Sequence, residues 1–451
     1  MKKLGWLVFL VIFTQLLSGS SSSILNSGSS ELRLTSPSSP FFLGADLSSL
    51  LQVLDAGTSF SRQNVSDSLF TILSDVGFNY GRLRLWDTPS NVEGAVDNYC
   101  DLNHTIAVAQ QMVGAGWGYL LDIHYSDWWA DPANQHPPLG WQNLSFQDLA
   151  SVVFNYTREV LDGLVLAGAP PSMIQVGNEI NHGFLWPEGH ISNLTKFTTL
   201  LDSAIRAIKT HPTLGNTPVM IHFAPGTNMS GYQWFFDSLL EFNISFDTIG
   251  VSFYPKWHGT LAQLSFALLD MTERYQKEVI VVETAYPWTI GWNDDHSNVF
   301  WKDSLHEGYP ASPEGQRLFL TDLVDVVKSL PNSLGRGVFL WEPAWITPSV
   351  GGSPMENAGL FDFTNNLLDV YTTPLVKLPV STTSPASTIT NTTTTAPPST
   401  SETITTNETS NPSVSSEKEK SEHVGNVQEA MIVLMAMLTS KALVVRRRRR
   451  R

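Results

Sequence analysis

The sequence predicts a (β/α)8 barrel, because short apolar segments rich in β-branched residues alternate with amphipathic helical segments along most of the chain. Eight segments have the pattern of buried parallel strands: 42–47, 80–86, 119–125, 174–179, 219–223, 249–254, 279–284 and 338–342. Seven helical patterns lie between them: 67–76, 105–115, 146–167, 194–209, 232–242, 261–275 and 315–330. Eight such units close as a barrel. An open, doubly wound sheet is the alternative, but the chain has no dinucleotide-binding or P-loop motif.

The N-terminal residues 1–22 have the features of a secretory signal peptide. Two lysines precede an apolar run, and small residues follow it. The apolar run is short for a membrane span, which counts against a signal anchor. We therefore expect cleavage between residues 18 and 23 and a secreted, extracellular protein. The predicted barrel domain then occupies residues 39–377.

The C-terminal part of the chain has no pattern typical of a packed domain. Residues 378–422 are rich in Ser, Thr and Pro and end in a charged stretch, which predicts an extended, disordered stalk. Residues 423–451 form a short apolar tail that ends in six arginines. Two interpretations stay open for this tail: a stop-transfer-like membrane tether, or a poorly defined gene end.

The composition argues against nucleic-acid binding. The formal net charge is −15, and six of the 27 basic residues are the C-terminal arginines, so the rest of the chain is still more acidic. Such a surface suits a neutral polymer. A single cysteine allows no intramolecular disulfide. Nine glycosylation sequons predict a secreted glycoprotein, at Asn64, Asn103, Asn143, Asn155, Asn193, Asn228, Asn243, Asn391 and Asn407.

Two glutamates are the strongest candidates for chemistry. Glu179 ends the fourth predicted strand and Glu283 ends the seventh, so both fall on the C-terminal face of the barrel, where active sites of this fold lie. Two carboxyl groups about 5–5.5 Å apart can hydrolyse a glycosidic bond with retention of configuration. We expect Glu179 to be the acid/base and Glu283 the nucleophile.

Several longer motifs make the chain resemble glycoside hydrolase family 53, the arabinogalactan endo-β-1,4-galactanases. The most specific are HYSDWWADP at 124–132, NEINHGFLWPEG at 178–189 and WHGT at 257–260. Further similarity lies at 44–49, 81–89, 99–102, 252–261, 281–289 and 340–345. The resemblance covers nearly the whole predicted barrel. It implies the same fold and two catalytic glutamates on the fourth and seventh strands.

The resemblance also implies roles for residues around these glutamates. Asn178 would bind the sugar 2-hydroxyl, and Tyr254 would hydrogen-bond the nucleophile. Asp46, Arg84 and His124 would line the floor of the site, with Arg84 helping to keep Glu283 ionised. Aromatic rings suit the C–H-rich faces of sugars, and the expected platforms are Trp86, Trp186, Trp257, Trp288 and Trp341.

No cofactor is expected, but a structural calcium ion is considered. Bacterial members of the family bind calcium in the loop after the seventh strand, through ligands that alternate along the chain. Asp294, His296 and Asn298 keep this alternation, but Trp292 stands where a further Asp is expected. Calcium prefers 6–8 oxygen ligands, so a plain polar loop stays as the alternative.

These observations together predict a secreted, monomeric glycosidase. Its substrate would be β-1,4-galactan, in the side chains of arabinogalactan or pectin, cut within the polymer by double displacement. Another β-glycanase of the same clan, a mannanase or a cellulase, is the first alternative. The second is a surface protein that binds polysaccharide without cutting it, but such proteins usually lose a catalytic carboxylate, and this chain has both.

Overall fold

The computed structural model describes residues 40–92 and 99–376. The predicted signal peptide, stalk and apolar tail lie outside the described residues. Within the part of the chain that is described, no helix has the length and apolar character needed to cross a membrane.

Eight parallel strands form a closed barrel, which confirms the predicted fold class and shows that the open-sheet alternative is wrong. Each strand pairs with the next one along the chain, and the last strand pairs with the first, in a register that places Phe42 opposite Gly337. The strands are β1 Phe42–Asp46, β2 Tyr80–Leu85, β3 Gly118–Ile123, β4 Met173–Val176, β5 Val219–Phe223, β6 Thr248–Ser252, β7 Glu278–Thr284 and β8 Gly335–Leu340.

Helices surround the barrel and cover the outer faces of the strands. They are α1 Leu50–Asp55, α2 Leu69–Val76, α3 Leu102–Gly114, α4 Phe146–Leu166, α5 Leu194–Lys209, α6 Met229–Glu241, α7 Pro255–His258, α8 Leu261–Tyr275 and α9 Pro313–Lys328. The sequence predicted the seven crossover helices and missed the short α1 and α7. It also missed a hairpin of Ser61–Arg62 and Val65–Ser66.

The crossover helices begin where polar side chains satisfy free backbone N–H groups. At α3, for example, the Asp101 carboxylate accepts from the His104 N–H at 2.9 Å. At α8, Thr260 and Gln263 form a reciprocal capping box. Such caps stabilise a helix by roughly 1 kcal/mol each, and they fix the residue at which each loop on the active face gives way to a helix.

The inner face of the barrel is divided into an apolar half and a polar half. Along β2, Tyr80 packs in the apolar cluster, and the next two residues on the same face are Arg82 and Arg84. Along β3, Leu120 is followed in the same way by Asp122. The apolar half is a plug of seven buried side chains: Tyr80, Leu120, Met173, Met220, Ile280, Val282 and Phe339. Polar chemistry is therefore confined to the C-terminal end of the barrel.

Close packing of α9 against β8 requires a glycine at the start of the strand. A Cβ atom at Gly335 would overlap the backbone carbonyl oxygen of Val327 in α9. The obstructing atom belongs to the backbone, so it cannot rotate away. This contact fixes how closely the last helix approaches the barrel.

We predict that Gly335→Ala lowers the free energy of unfolding by about 1–3 kcal/mol, the usual cost of overpacking. Gly114→Ala at the end of α3 is the matched control, because a Cβ there meets no atom within 4 Å. Urea denaturation of both variants measures the effect. Equal stability of the two variants would show that α9 shifts freely on the barrel.

Candidate active site

An open cleft of about 680 Å³ lies over the C-terminal ends of the strands. Glu179 and Glu283 both line it, although each side chain is largely buried. Much of the remaining wall is aromatic or imidazole: Trp86, His124, Trp128, Trp129, His182, Phe223, Trp234, Tyr254, Trp257, His258, His296, Trp341 and Trp345. The two glutamates that the sequence singled out are therefore brought to one cavity.

Glu283 reaches the cleft because β7 is irregular at this point. The pairing with both neighbouring strands shows one extra residue in β7: Val251 and Ser252 of β6 lie opposite Val281 and Glu283. Such a bulge re-aims the side chain that follows it. Ile280 and Val282 belong to the inner apolar plug. On a regularly alternating strand, Glu283 would therefore have pointed out of the barrel, toward the helices.

Two contacts of Glu283 favour its ionised form and oppose the effect of its burial. Arg82 Nη2 lies 2.8 Å from its Oε1 in a buried ion pair, and the Tyr254 hydroxyl donates to its Oε2 at 3.1 Å. Burial raises the pKa of Glu283, and both of these contacts oppose the increase. A carboxylate held by two donors is suited to nucleophilic attack.

The environment of Glu179 favours its protonated form. The Ser252 hydroxyl donates to its Oε1 at 2.6 Å, and His222 Nε2 lies 2.9 Å from that hydroxyl. Burial and the negative charge of Glu283 raise the pKa of Glu179 well above its ordinary value, and the hydrogen bond from Ser252 opposes them only in part. The pair thus consists of one carboxyl group that holds its proton and one that is paired with a cation.

The backbone at Glu179 is in a left-handed conformation, with φ of 47°. This region is uncommon for residues other than glycine, and it costs roughly 1–3 kcal/mol. Gly177, two residues earlier, has φ of 77° and begins the same turn after β4. The turn directs the Glu179 side chain into the cleft.

Arg82 carries out the role that the sequence assigned to Arg84, and this is a correction. Besides Glu283, its guanidinium binds Asp46 at 3.0 Å and Asp122 at 2.8 Å, and it donates to Asn178 Oδ1 at 2.9 Å. Arginines two apart on a strand share a face, but Arg82 lies one layer deeper, where the carboxylates converge. The two-residue spacing between Arg82 and Arg84 was the sequence signal that could have identified Arg82.

Arg84 pairs instead with a glutamate that the sequence analysis did not assign, Glu342. Arg84 Nη1 lies 2.5 Å from Glu342 Oε1, and the Ser49 hydroxyl donates to the other oxygen of Glu342. The guanidinium also lies 4.2 Å from the centre of the Trp129 ring. Burial raises the pKa of Glu342 to about 7, although Arg84 opposes the shift. Glu342 lies just after β8, and Glu283 lies at the end of β7. This position at a strand end was the sequence signal that could have identified Glu342.

Asp46 lies deeper in the barrel than His124, and only His124 lines the cleft. Asp46 is fully buried below the cleft and does not reach its wall, so it supports Arg82 rather than contacting a ligand directly. His124 lines the cleft, and its Nδ1 accepts from Trp86 Nε1 at 3.3 Å. Its Nε2 therefore carries the proton that bonds Asp122 at 3.0 Å.

Asn178 lines the cleft beside Glu179. Its oxygen accepts from Arg82, and its nitrogen donates to the Ala130 carbonyl at 2.9 Å. One N–H of this amide remains for a ligand, because the nitrogen has two. The structure thus places Asn178 at the wall of the cleft, with one donor free to contact a ligand.

The predicted aromatic platforms fall into two groups. Trp86, Trp257 and Trp341 line the cleft. Trp186 and Trp288 do not: the Trp186 indole N–H donates to the His182 carbonyl at 2.9 Å, and the Trp288 ring packs 4.9 Å from that of Phe363. The wall contains four tryptophans beyond those predicted as platforms: Trp128, Trp129, Trp234 and Trp345.

The predicted calcium ligands lie in the connection after β7, where Asp294 and Asn298 already bond backbone groups. Both carboxylate oxygens of Asp294 accept backbone hydrogen bonds, from His296 at 2.6 Å and from Ser353 at 2.8 Å. The Asn298 amide donates to the Gly291 carbonyl at 3.3 Å. No group of three His, Cys, Asp or Glu suited to a metal occurs in residues 40–92 and 99–376. The structure does not support the calcium prediction.

The chain matches the sequence model of glycosyl hydrolase family 53 over residues 42–373. An endo-β-1,4-galactanase of Bacillus subtilis strain 168 is 35% identical to it over 309 residues, which are 68% of this chain and 70% of that protein. An arabinogalactan endo-β-1,4-galactanase of Cellvibrio japonicus is 34% identical over 347 residues, 74% of this chain and 90% of the relative.

The barrel is also similar to solved structures. The GH53 catalytic domain of Ignisphaera aggregans superposes with a TM-score of 0.70 at 37% identity, and the alignment covers 74% of this chain and 96% of that domain.

We predict that Tyr254→Phe lowers kcat about 10- to 100-fold, because a hydrogen bond to a charged group is worth about 1.5–3 kcal/mol. The Tyr254 hydroxyl lowers the pKa of Glu283. Activity needs ionised Glu283 and is lost as pH falls through its pKa, so the variant's acidic limb moves to higher pH. The pH profile on β-1,4-galactan, the substrate that the sequence predicts, measures both effects.

Tyr275→Phe on α8 is the control for this experiment, since its hydroxyl bonds Asp237 on the outer side of the barrel. It should leave the profile unchanged. If Tyr254→Phe lowered kcat without moving the acidic limb, the hydroxyl would position Glu283 without affecting its ionisation.

We further predict that EDTA leaves the melting temperature unchanged, because both oxygens of the Asp294 carboxylate already accept backbone hydrogen bonds. A thermal melt with EDTA and one with added Ca²⁺ measure this. A ligand that binds only the folded state raises Tm, so a fall on chelation that Ca²⁺ reverses would contradict the prediction.

Proposed function

The chain belongs to glycosyl hydrolase family 53 and is a glycoside hydrolase, and we propose that it is a retaining endo-β-1,4-galactanase acting on the galactan side chains of arabinogalactan and pectin. One observation supports the mechanism above the others. The cleft holds Glu179, whose environment favours the protonated form, and Glu283, which is paired with Arg82.

In the first step Glu283 attacks the anomeric carbon, and Glu179 gives its proton to the departing glycosidic oxygen. A covalent galactosyl ester of Glu283 results, and the shortened chain leaves with the proton. In the second step Glu179 removes a proton from water, which attacks the same carbon and releases Glu283. Two inversions at one carbon restore the original configuration.

The change of role at Glu179 follows from the electrostatics of the pair. In the free enzyme the charge of Glu283 raises the pKa of Glu179. Esterification removes that charge, so the pKa of Glu179 falls and its carboxylate becomes available as a base. Ser252, which donates to Glu179 Oε1 at 2.6 Å, stabilises the carboxylate in this second step.

Two other groups support the transition state in this proposal. The remaining N–H of Asn178 binds the sugar 2-hydroxyl, an interaction that strengthens as positive charge develops on the ring. Arg82 holds Glu283 in place at 2.8 Å while Tyr254 contacts its other oxygen. Neither oxygen can rotate freely away from the substrate, which favours the geometry of attack.

The shape of the cleft is consistent with attack inside a polymer. It is open, and it is lined with tryptophans on several sides, including Trp86, Trp257 and Trp341. Each ring can hold one face of a sugar. The galactose preference in this proposal derives from the named relatives, since the cleft residues alone do not distinguish galactose from its epimers.

Secretion as a monomeric glycoprotein is part of the proposal. The described part of the chain contains seven of the nine sequons, and each of their asparagines is exposed: Asn64, Asn103, Asn143, Asn155, Asn193, Asn228 and Asn243. Exposed asparagines are accessible to glycosylation. The predicted signal peptide would provide the route.

We predict that purified full-length protein releases reducing sugar from β-1,4-galactan, and that Glu283→Gln lowers this activity by at least about 10³-fold. The amide keeps the side-chain shape but cannot act as a nucleophile. Glu273→Gln, at an exposed position of α8, is the matched control and should remain active. Proton NMR of the first product should show the β-anomer.

Mannan and cellulose belong in the same assay. Cleavage of either one with galactan untouched would assign the protein to another specificity of the same clan. Retention of galactan without hydrolysis by the parent and both variants would indicate a binding protein. An α-anomer as first product would contradict double displacement.

A further inference from the structure

Two tryptophans outside the cleft are exposed side by side in the connection between β7 and α9. Trp292 is 55% exposed and Trp301 is 39% exposed, and their ring centres lie 5.2 Å apart at an angle of 64°. Ile290, in the same connection, is 37% exposed. Large aromatic side chains left in water forgo a burial worth about 1.5–3 kcal/mol each, so packing does not account for this pair.

The pair forms one wall of a shallow groove of about 490 Å³, which we call the Trp292–Trp301 groove. Ile290, Lys302 and Asp303 complete its lining. Its surface is mostly apolar, and its two charged residues are of opposite sign. A neutral ligand with C–H-rich faces and hydroxyl groups suits such a surface better than an anion or a cation does.

The groove is connected to the catalytic cleft through Lys256. Lys256 Nζ lies 3.5 Å from Asp303 Oδ1, donates to the Val299 carbonyl at 3.1 Å and lies 5.3 Å from the centre of the Trp257 ring. Trp257 and Val299 line the cleft, whereas Asp303 lines the groove. The same connection therefore has one side in the cleft and the other in the groove.

We propose that the Trp292–Trp301 groove is a second carbohydrate-binding site, which holds the galactan chain beyond the catalytic cleft. This inference rests on the proposed function. A polymer bound across the catalytic glutamates extends past the wall of the cleft, and the groove is the adjoining aromatic surface. Binding there raises the local concentration of polymer at the cleft without touching the scissile bond.

The test measures retention of the full-length protein in native gels that contain β-1,4-galactan, with Glu283→Gln present in every sample to prevent hydrolysis. Adding Trp292→Ala and Trp301→Ala is expected to weaken retention about 3- to 10-fold, the effect of removing one or two aromatic contacts. Phe266→Ala is the matched control, because Phe266 is 64% exposed on α8. It should leave retention unchanged.

A second measurement uses the active protein with the same tryptophan substitutions. The groove contacts substrate but not the reacting atoms, so KM for polymeric galactan should rise while kcat is kept. Trp292→Phe retains a ring and should recover part of the affinity. A thermal melt of each variant separates lost binding from lost folding.

Each contrary outcome has a distinct meaning. Hydrolysis of galactan by the parent with unchanged retention and KM in the tryptophan variants would overturn the second site and leave the proposed function intact. Neither hydrolysis nor retention of galactan by the parent would instead overturn the proposed function. A change of mass in solution, with unchanged retention, would make the groove a contact between copies of the chain and also overturn the second site.

Discussion

The guanidinium of Arg82 lies at the centre of the barrel, where carboxylates from three different strands converge on it. Asp46 comes from β1, Asp122 from β3 and Glu283 from β7, and each lies within 3.0 Å. Burying a charged group is costly unless it is paired. Loss of Arg82 would leave three buried carboxylates without their shared cation, so the geometry of the site and the stability of the barrel interior depend on the same group.

The number of buried arginines also affects which carboxyl groups of the site are ionised. Arg82 and Arg84 are the two arginines that pair with its carboxyl groups, and the carboxyl groups outnumber them. Burial and Arg82 act in opposite directions on Asp122, and its pKa ends below the ordinary value. Among the described residues Glu179 has no ion pair of this kind, and burial together with the charge of Glu283 raises its pKa. In the proposed mechanism, the acid is thus the carboxyl group for which no cation remains.

Sequence reasoning reached the barrel and its two glutamates because both depend on local pattern. The alternation of apolar segments is a property of each segment, and a strand end can be read from where a segment stops. The depth of a side chain inside the barrel cannot be read from a local pattern. Arg82 and Arg84 share a face, and only the closed barrel shows which of them meets Glu283. Loop direction is also a tertiary property, which is why Trp186 and Trp288 were predicted as platforms, whereas Trp128 and Trp129, which line the cleft, were not.

The extra residue in β7 lets two consecutive side chains face the inside of the barrel. On a regular strand they would alternate, yet Val282 packs in the apolar plug and Glu283, the next residue, lines the cleft. Regular pairing without a change of sequence would turn the carboxylate toward the helices. Deletion of Val282 would restore regular pairing and leave Glu283 opposite Ser252, but it would remove one side chain from the plug and leave a cavity there. One irregularity in the strand therefore allows both a filled core and a carboxylate in the cleft, so that packing and chemistry share the same stretch of backbone.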